Sequence, residues 1–425
     1  MKLVVAALAL SSLAGCLRTA RGPEAPIDAL EPVPWVVTAT YDELGKEGSV
    51  PCATGCAAVL SFRIPPEHPL AERLGGRSYV YDDALAMLVH LAEGHPERAL
   101  PIGRTLVALR NPDGTIGFSF DFEKSAFVDA RYVRAGTVAW AGYALASFDL
   151  VTGTSTFAAD ARRVADALLA TRVSSPGDPR DGLVLAGRGL WRDNYRVFDA
   201  THVADHAVTE HQIDLYFLLR ALDALEPGPY GVAADALAGA MLRALWRDDE
   251  GVFTVAVGPK GQSPHRALDS AGAWGAMFLL AIGDVDRARR SLASTRTRFA
   301  TVADGIAGFA PYDGPVDDHE GQDLSHTFFS EGTASMAVLL SRSGDAPAAR
   351  ALHSVLAGLC AGHGGAVPYA FPESPDFPNV PAVAPTAWLR LFEREQQTGS
   401  PLVLSAPARP IAKVSEPVLL TRAMP

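Results

Sequence analysis

The chain has 425 residues, of which 48% are hydrophobic and 20% are charged, a composition typical of one large globular domain or two small ones. Its formal net charge is −11 and it contains no run of Lys or Arg, which argues against a basic nucleic-acid-binding face. Beyond the N-terminal segment, no stretch approaches the ~20 apolar residues of a membrane span.

The first element is a short apolar segment that follows one positive charge. Lys2 precedes LVVAALALSSLAGC, a pattern typical of an export signal and too short for a transmembrane helix. Its end, LAGC, resembles the lipobox of bacterial lipoproteins. The resemblance implies that residues 1–15 are a signal peptide, that Cys16 is lipidated, and that acyl chains anchor the protein in the bacterial cell envelope. The alternative is a soluble export signal with an incidental cysteine.

The residue after the lipobox bears on the destination of such a lipoprotein. Leu17, and not Asp, follows Cys16. In lipoproteins of double-membraned bacteria this implies the outer membrane, at its periplasmic face or at the cell surface. Residues 17–34 are rich in proline, so we expect residues 16–40 to form the lipidated cysteine and a tether.

Three cysteines remain beyond the lipobox. Cys52 and Cys56 lie in CATGC and could close a small disulfide in an oxidising compartment, or remain a free pair in a loop. Cys360 is then left over, and the cysteines do not have the spacing of metal ligands.

A helical pattern recurs at intervals near 60 residues. Three of its segments, residues 135–148, 270–283 and 332–341, carry no charge, and a helix that is apolar on every side must be buried on every side. Each of the first five segments precedes a second helix; TFAADARRVADALLATR has one clear apolar stripe and the others fit less well. A glycine turn and a short strand follow, as in RDGLVLAG. The buried helices are expected to start near Asp82, Ala135, Glu210, Asp269, Glu331 and Pro385.

Alternating buried and amphipathic helices favour a closed double ring, in which inner helices run one way and outer helices the other. A linear helical solenoid is the alternative, but its repeats are usually shorter, ~33–47 residues. Eleven helices are evident, and the twelfth either comes from residues 24–31 or is missing. We expect residues 41–400 to form this single domain and the Pro-rich tail, residues 401–425, to wrap its outside.

Acidic side chains collect where the buried helices begin, so their positions predict a common mouth. Asp and Glu also favour the first helical turn as caps, which is an equal alternative for Asp82 and Asp269. Burial argues against capping as the whole explanation, because a buried carboxylate is costly unless it is paired or used. The candidate catalytic acids are Glu210, Glu331, Asp269 and Asp82.

Aromatic side chains are expected near the same mouth, where their faces could stack on sugar rings. For each of them, packing in the core is the default explanation. The aromatic candidates for substrate binding are Phe120, Trp140, Trp274, Trp388 and Tyr312, and the polar candidates are His211, Asp214 and Arg131.

Four segments and the repeat resemble the six-hairpin glycosidase superfamily over roughly residues 75–397. The segments are NPDGTIGFSFDF, TEHQIDLYFLLRAL, SEGTASMAVL and APTAWLRLFE. The resemblance implies an all-α fold, the (α/α)6 toroid or barrel, with short β-strands at the N-terminal face of the inner helices. It also implies glycoside hydrolases of several families, uronate-oligosaccharide hydrolases, polysaccharide lyases or sugar epimerases.

The resulting hypothesis is a lipid-anchored glycoside hydrolase that acts on an oligo- or polysaccharide. Hydrolysis needs one carboxylic acid for the leaving oxygen and one carboxylate that activates water or attacks carbon. We assign these functions to Glu210 and Glu331, with Asp269 and Asp82 in reserve. The alternatives are a non-catalytic glycan-binding lipoprotein, and an epimerase or lyase that abstracts a proton with His or Tyr.

The expected partners are a carbohydrate and, through Cys16, a membrane. No cofactor, nucleic acid or metal is expected. His202, His206 and His211 cluster in a loop-like segment without the HExxH pattern of a zinc protease. GxSxG, phosphate-binding and dinucleotide-binding patterns are also absent from the sequence.

Overall fold

The computed structural model describes residues 29–34, 55–121, 131–192, 197–315 and 323–405. The expected signal peptide, the lipidation of Cys16 and the pairing of Cys52 lie outside these residues. The helices are α1 (Ala71–Leu74), α2 (Val80–Ala92), α3 (Pro96–Ala108), α4 (Ala135–Thr152), α5 (Ala158–Leu169), α6 (Thr209–Leu225), α7 (Pro229–Ala244), α8 (Trp274–Ala281), α9 (Val285–Arg298), α10 (Ser330–Arg342), α11 (Ala346–Gly362) and α12 (Val383–Thr398). A π-helical turn, Leu268–Ala273, leads directly into α8.

The strands are short and all of their pairings are antiparallel. They are β1 (Val33–Pro34), β2 (Ala57–Ala58), β3 (Arg77–Tyr79), β4 (Ser119–Asp121), β5 (Val133–Arg134), β6 (Gly187–Arg192), β7 (Val197–Val203), β8 (Ala207–Val208), β9 (Trp246–Arg247), β10 (Val252–Phe253), β11 (Ala256–Gly258), β12 (Gly261–Gln262), β13 (Ala300–Ala303), β14 (Ile306–Phe309), β15 (Phe328–Phe329) and β16 (Ala370–Phe371).

Six helices form a closed inner ring: α2, α4, α6, α8 with its π-helical turn, α10 and α12. Each contacts the next in chain order, and α12 packs against α2. The prediction of a closed toroid is therefore confirmed, and the open solenoid is excluded. Burial follows the sequence pattern, since every residue of α4 from Ala135 to Asp149 is buried.

The outer helices α3, α5, α7, α9 and α11 each bury one face against the inner ring. In α5 the buried positions follow the predicted stripe, including Ala161, Val164, Ala165 and Leu168. A sixth outer helix does not occur within the described ranges. The proposed source of that helix, residues 24–31, is described only from Ala29, which forms a turn with Leu30.

A girdle of short strands holds the start of the inner helices. The strand before an inner helix pairs with a strand that follows the outer helix of the same hairpin, as in β3 with β4, β5 with β6, β8 with β11, and β15 with β16. In the fourth hairpin an isolated bridge between Ala267 and Tyr312 does the same. These pairings lie at the N-terminal face of the inner ring, where the sequence places the mouth.

The structure corrects the expected edges of the domain. β1 pairs with β2, and the buried Leu30 accepts a hydrogen bond at its carbonyl from His90 Nε2 at 2.8 Å, so residues 29–34 belong to the folded unit and not to a tether. At the other end, Val403 and Leu404 are buried among the C-terminal ends of inner helices instead of wrapping the outside. Cys56 and Cys360 are both disulfide-bonded.

In the described part of the chain, no helix combines the length and apolar character needed to cross a bilayer.

Candidate active site

One cavity of about 460 Å³ opens at the N-terminal face of the inner ring. The second residue of every inner helix lies on its wall, because the six helices start at the same level and present equivalent positions to the ring axis. In ring order these residues are Tyr81, Gly136, Glu210, Asp269, Glu331 and Ala384. The wall is therefore divided into an acidic half on α6, the π-helical turn and α10, and a half with an aromatic and two small residues.

All four candidate catalytic acids lie on this wall: Asp82, Glu210, Asp269 and Glu331. They are not N-caps, since none of these helices has a side-chain cap hydrogen bond and the cap residues are Tyr79, Val208, Ala267 and Phe329. By contrast, Asp284 and Asp345 do cap the outer helices α9 and α11. Capping thus explains acids at outer helices, whereas the inner acids face the cavity.

Glu331 is held in a hydrogen-bonded chain, and its burial favours the protonated form. Burial and the negative charges of Asp82 and Glu210 raise the pKa of Glu331 to about 8, although the hydrogen bond from Tyr81 acts in the opposite direction. The Tyr81 hydroxyl donates to Glu331 Oε1 and accepts from Trp388 Nε1 at 3.0 Å. At neutral pH Glu331 can therefore donate a proton into the cavity.

Glu210 lies in a different electrostatic environment. Burial raises its pKa, but the nearby Arg134 guanidinium lowers it again. The Glu210 side chain retains 26% exposure, whereas Glu331 is only 5% exposed as a residue. Glu210 is accordingly better placed than Glu331 to be ionised at neutral pH, because it has both a cation and solvent nearby.

Two further polar groups of α6 lie deep in the cavity. Burial lowers the pKa of His211 well below its usual value, so its imidazole is neutral, and its Nε2 lies 3.8 Å from Glu210 Oε1. Burial, with the charges of Glu210 and Asp269, raises the pKa of Asp214 well above the usual range. Asp214 is four residues after Glu210 and therefore lies one helical turn deeper on the same face.

Indole rings occupy the level of Asp214 on other inner helices. Trp140 lies four residues after Gly136, and Trp388 lies four residues after Ala384. Trp274 lies five residues after Asp269, because the π-helical turn inserts one extra residue and keeps this side chain on the axis. Trp140 and Trp274 line the cavity, whereas Trp388 is fully buried and donates to the Tyr81 hydroxyl.

Comparison with known proteins gives the same architecture. The chain is similar to the crystal structure of a D-mannose isomerase, with 12% identity, 80% of this chain and 92% of that chain covered, and a TM-score of 0.55. It is similar to a glycosidase variant in complex with glucose, with 14% identity, 80% and 91% covered, and a TM-score of 0.55. It is also similar to an alpha-amylase from Clostridium perfringens, with 9% identity, 84% and 96% covered, and a TM-score of 0.58.

This is the (α/α)6 toroid fold. No protein-family profile matches the chain. No curated protein matches its sequence either.

Of the remaining candidate residues, one lines the cavity and two do not. Tyr312 lines the cavity, because its bridge to Ala267 places it beside the start of the π-helical turn. Phe120 does not: it pairs with Ser78 on the face of β3 and β4 that turns inward, and both residues are fully buried. Arg131 is also absent from the wall, where Arg134 lies instead.

Tyr81, Arg134 and Tyr369 line the cavity but are not among the site residues assigned from the sequence. Tyr81 occupies the same position in α2 as Glu210 in α6 and could have been found by aligning the helix starts. Arg134 is the last residue before α4 and belongs to the same segment as Arg131, and the sequence does not show which of the two arginines faces the cavity. Tyr369 directly precedes β16, so its place on the wall depends on the pairing of β15 with β16.

Gly136 lies at a position on the cavity wall that has little space for a side chain. A Cβ atom there would lie 2.4 Å from His211 Cδ2 and 2.8 Å from Asp214 Oδ2. Both neighbours are side chains that can move, and alanine favours a helix over glycine by about 1 kcal/mol. We expect Gly136→Ala to remain folded while it displaces His211 and Asp214.

The expected result for Gly136→Ala is a loss of kcat/KM of about 100-fold, since a ~1 Å misplacement of site groups can have that effect. Steady-state kinetics on the best substrate, with thermal unfolding in parallel, would measure it. The matched control is Gly358→Ala in outer helix α11, where a Cβ meets nothing within 4 Å. Equal activity of the two variants would show that this close approach has no function.

Proposed function

We propose that the protein is a glycoside hydrolase that acts on an oligo- or polysaccharide with two carboxyl groups. The observation that carries the proposal is that Glu210 and Glu331 line one cavity, where burial and neighbouring acids raise the pKa of Glu331 to about 8 while Arg134 opposes the upward pKa shift of Glu210. A glycosidase needs such a pair across the scissile bond. The glycosidase and amylase among the similar structures support the proposal through the shared fold.

In this proposal Glu331 is the general acid and Glu210 is the general base or nucleophile. Glu331 transfers its proton to the glycosidic oxygen as the bond to the anomeric carbon breaks. Glu210 either removes a proton from the attacking water or attacks the anomeric carbon itself, after which water completes hydrolysis. Tyr81 then donates its hydrogen bond to the Glu331 carboxylate and stabilises the charge that proton transfer leaves behind.

The direct test is the release of sugar from a panel of neutral and acidic oligo- and polysaccharides. We expect at least one glycan to be cleaved, and we expect Glu210→Gln to lower kcat/KM by about 10²–10⁴-fold with folding intact. Glu226→Gln is the control. Glu226 directly follows α6, the helix that contains Glu210, and it forms an exposed ion pair with Arg162. Near-normal turnover by Glu210→Gln would exclude Glu210 as acid or base.

The same panel separates the hydrolase from a glycan-binding protein without activity. A binding protein needs the aromatic wall and the cavity but not the acid pair. Measurable affinity for a glycan that the wild-type protein never cleaves, together with unchanged affinity in Glu210→Gln, would favour that alternative.

A sugar isomerase or epimerase is the second candidate, and His211 favours it. Its imidazole is neutral, buried and on the cavity wall, as a base that abstracts a proton from a sugar carbon must be. A D-mannose isomerase and a cellobiose 2-epimerase from Bacillus thermoamylovorans are among the structures of the same fold. Exchange of a sugar C–H hydrogen with deuterated water, followed by NMR, would identify this reaction, and a lyase would release an unsaturated product that absorbs in the ultraviolet.

We also propose that the protein works at the bacterial cell envelope, anchored by lipid on Cys16. The lipobox-like LAGC supports this proposal. We expect Cys16→Ser to move the protein from the membrane fraction to the soluble fraction and to abolish incorporation of labelled fatty acid, because several acyl chains provide the anchor. Ser12→Ala is the control. Membrane retention of Cys16→Ser would contradict the proposal.

A further inference from the structure

The cavity is closed at its deep end by three indole rings. Trp140 of α4, Trp274 of α8 and Trp388 of α12 come from alternate helices of the inner ring and meet one another across its axis. Their ring centroids are 5.7, 6.2 and 5.9 Å apart for the three pairs, and each residue is at most 5% exposed. A saccharide chain therefore cannot pass along the axis, and the cavity is a blind pocket one helical turn below the acids.

One side of the mouth is walled by a continuous series of aromatic rings, here called the aromatic collar. Each ring contacts the next with centroids 5.1–6.0 Å apart, and each lines the cavity. In order, the collar consists of Phe377, Tyr369, Phe62, Tyr79, Phe118 and Tyr132. A groove that crosses the mouth needs two opposite openings, and the collar occupies one of these sides.

The deep part of the pocket presents polar atoms that the described residues do not satisfy. Five buried side-chain atoms on residues that line the deep cavity have no hydrogen-bond partner there: Trp140 Nε1, His211 Nδ1, Asp214 Oδ1, Asp269 Oδ1 and Trp274 Nε1. Buried polar atoms are normally paired, so such a group indicates a ligand that completes it. The set mixes donors and acceptors, which matches the hydroxyls of a sugar because each hydroxyl can donate and accept.

The charged groups on the wall come from different parts of each hairpin. The arginines that line the cavity, Arg73, Arg77 and Arg134, all precede their inner helices, and Arg73 is already bonded to Asp376. Arg134 is close enough to Glu210 and His211 to lower the pKa of both. Deeper on the wall the described groups are acids and a neutral imidazole. Burial and neighbouring acids raise the pKa of Asp269 as well as that of Asp214, which favours the uncharged forms of these groups. At the level of Asp214, one turn into the inner helices, no described side chain on the wall is cationic, so an anionic sugar unit would lie among acids and indole rings there.

We propose that the blind pocket accepts one uncharged sugar unit, end-on, from the terminus of an oligosaccharide or glycoconjugate, so that the enzyme removes single sugars from a chain end. The aromatic collar then contacts the next unit, which leaves with the proton from Glu331. This inference rests on the proposed hydrolase function, but it can fail separately from it.

The decisive experiment follows product lengths during early hydrolysis of oligosaccharides labelled at the reducing end. Ladders of neutral hexose oligomers are compared with ladders of uronate oligomers of the same lengths. We expect free monosaccharide and a labelled product one unit shorter, with the neutral ladder preferred at least tenfold. Labelled products of intermediate length, or equal or faster cleavage of uronates, would overturn the inference while the hydrolase function stood.

Ligand binding tests the pocket without catalysis. Calorimetric titration of the Glu210→Gln variant with a panel of neutral monosaccharides and the matching uronic acids should show binding of a neutral sugar and none of its uronate. If that result accompanies a complete lack of hydrolysis by the wild-type protein, the hydrolase proposal fails and the inference about the occupant stands. Preference for the uronate, or no binding of any neutral monosaccharide, would overturn the inference.

Loss of one hydrogen-bond donor probes the deep end. Trp274→Phe keeps an aromatic ring on the axis but removes the Nε1 donor, so we expect KM to rise about tenfold with little change in kcat. Trp246→Phe is the control, because that indole donates to Asp248 Oδ1 at 3.2 Å outside the cavity and its loss should leave both constants unchanged. An unchanged KM in Trp274→Phe would contradict a sugar hydroxyl at this position.

Discussion

Replacing Glu331 by glutamine should lower kcat/KM by about 10²–10⁴-fold on substrates with a sugar leaving group, because the variant has no proton to donate to the glycosidic oxygen. The side chain keeps its size and its place beside Tyr81, so the loss reports chemistry and not packing. Initial rates on the best natural-type glycan would measure the effect.

The quality of the leaving group separates an acid from a base. A dinitrophenyl glycoside of the preferred sugar leaves as a stable anion and needs no proton, so Glu331→Gln should regain most of its activity on that substrate. Glu210→Gln should not, since activation of water or attack on carbon is still required. Equal losses by both variants on both substrates would contradict the assignment of the two functions.

The pH profile gives a second signature of the same residue. Glu331 acts while protonated, so wild-type kcat/KM should decline as the pH rises through about 8, the value to which burial raises the pKa of this carboxyl. Glu331→Gln cannot titrate and should lose this alkaline limb. If the limb persisted in Glu331→Gln, another group would be the acid.

The raised pKa of Glu331 also makes the stability of the protein depend on pH, and this dependence tests whether Glu331→Gln is folded correctly. The folded state holds the Glu331 proton more tightly than the unfolded chain, in which the pKa of a Glu side chain is about 4.3. The resulting stabilisation is fully present below that value and is lost as the pH rises through about 8. Glu331→Gln should therefore unfold at a temperature no lower than the wild type at pH 8. A lower unfolding temperature would attribute its lost activity to damaged packing.

The helices and the ring could be predicted because the apolar pattern of the sequence indicates which helices are buried. α4 has no charge between Ala135 and Phe148, so it could be stable only with neighbours on every side. The period near 60 residues then favoured a closed arrangement of equivalent hairpins over a linear solenoid. The edges of the domain could not be predicted in the same way, because Leu30 and Leu404 are single apolar residues in Pro-rich segments and have no periodicity around them.

The acids of the mouth were predictable for a related reason: Glu210, Asp269 and Glu331 each interrupt an otherwise apolar segment. Their neighbours were not, because Tyr81 looks like one more core aromatic until the helix starts are superimposed. The extra residue of the π-helical turn, which brings Trp274 to the axis, depends on tertiary packing and has no local sequence signal. Phe120 was wrongly expected to line the mouth. The alternation of side chains along a strand separates its two faces, but it does not show which face turns toward the cavity.

Replacing Arg342 by alanine should cause the largest loss of stability available away from the mouth, about 3–5 kcal/mol, because it leaves a buried carboxylate without its partner. Arg342, at the end of α10, forms a bidentate ion pair with Glu395 of α12, and the two side chains are 13% and 6% exposed. The same guanidinium donates to the carbonyls of Val403 and Leu404, and Glu395 accepts from the Leu402 amide at 2.8 Å. We expect the unfolding temperature to fall by on the order of 5 °C or more.

The control for this variant is Arg289→Ala, which removes an ion pair with Asp286 whose side chains are 74% and 93% exposed. Exposed pairs of this kind contribute ~0–1 kcal/mol, so its unfolding temperature should hardly change. The double variant Arg342→Met with Glu395→Met removes both charges and should be more stable than Arg342→Ala, because no unpaired charge remains. Since the pair also binds residues 402–404, Arg342→Ala should make the chain after Gly399 more sensitive to protease. A variant as stable and as protease-resistant as the wild type would mean that hydrophobic burial of Val403 and Leu404 alone closes the C-terminal end of the inner ring.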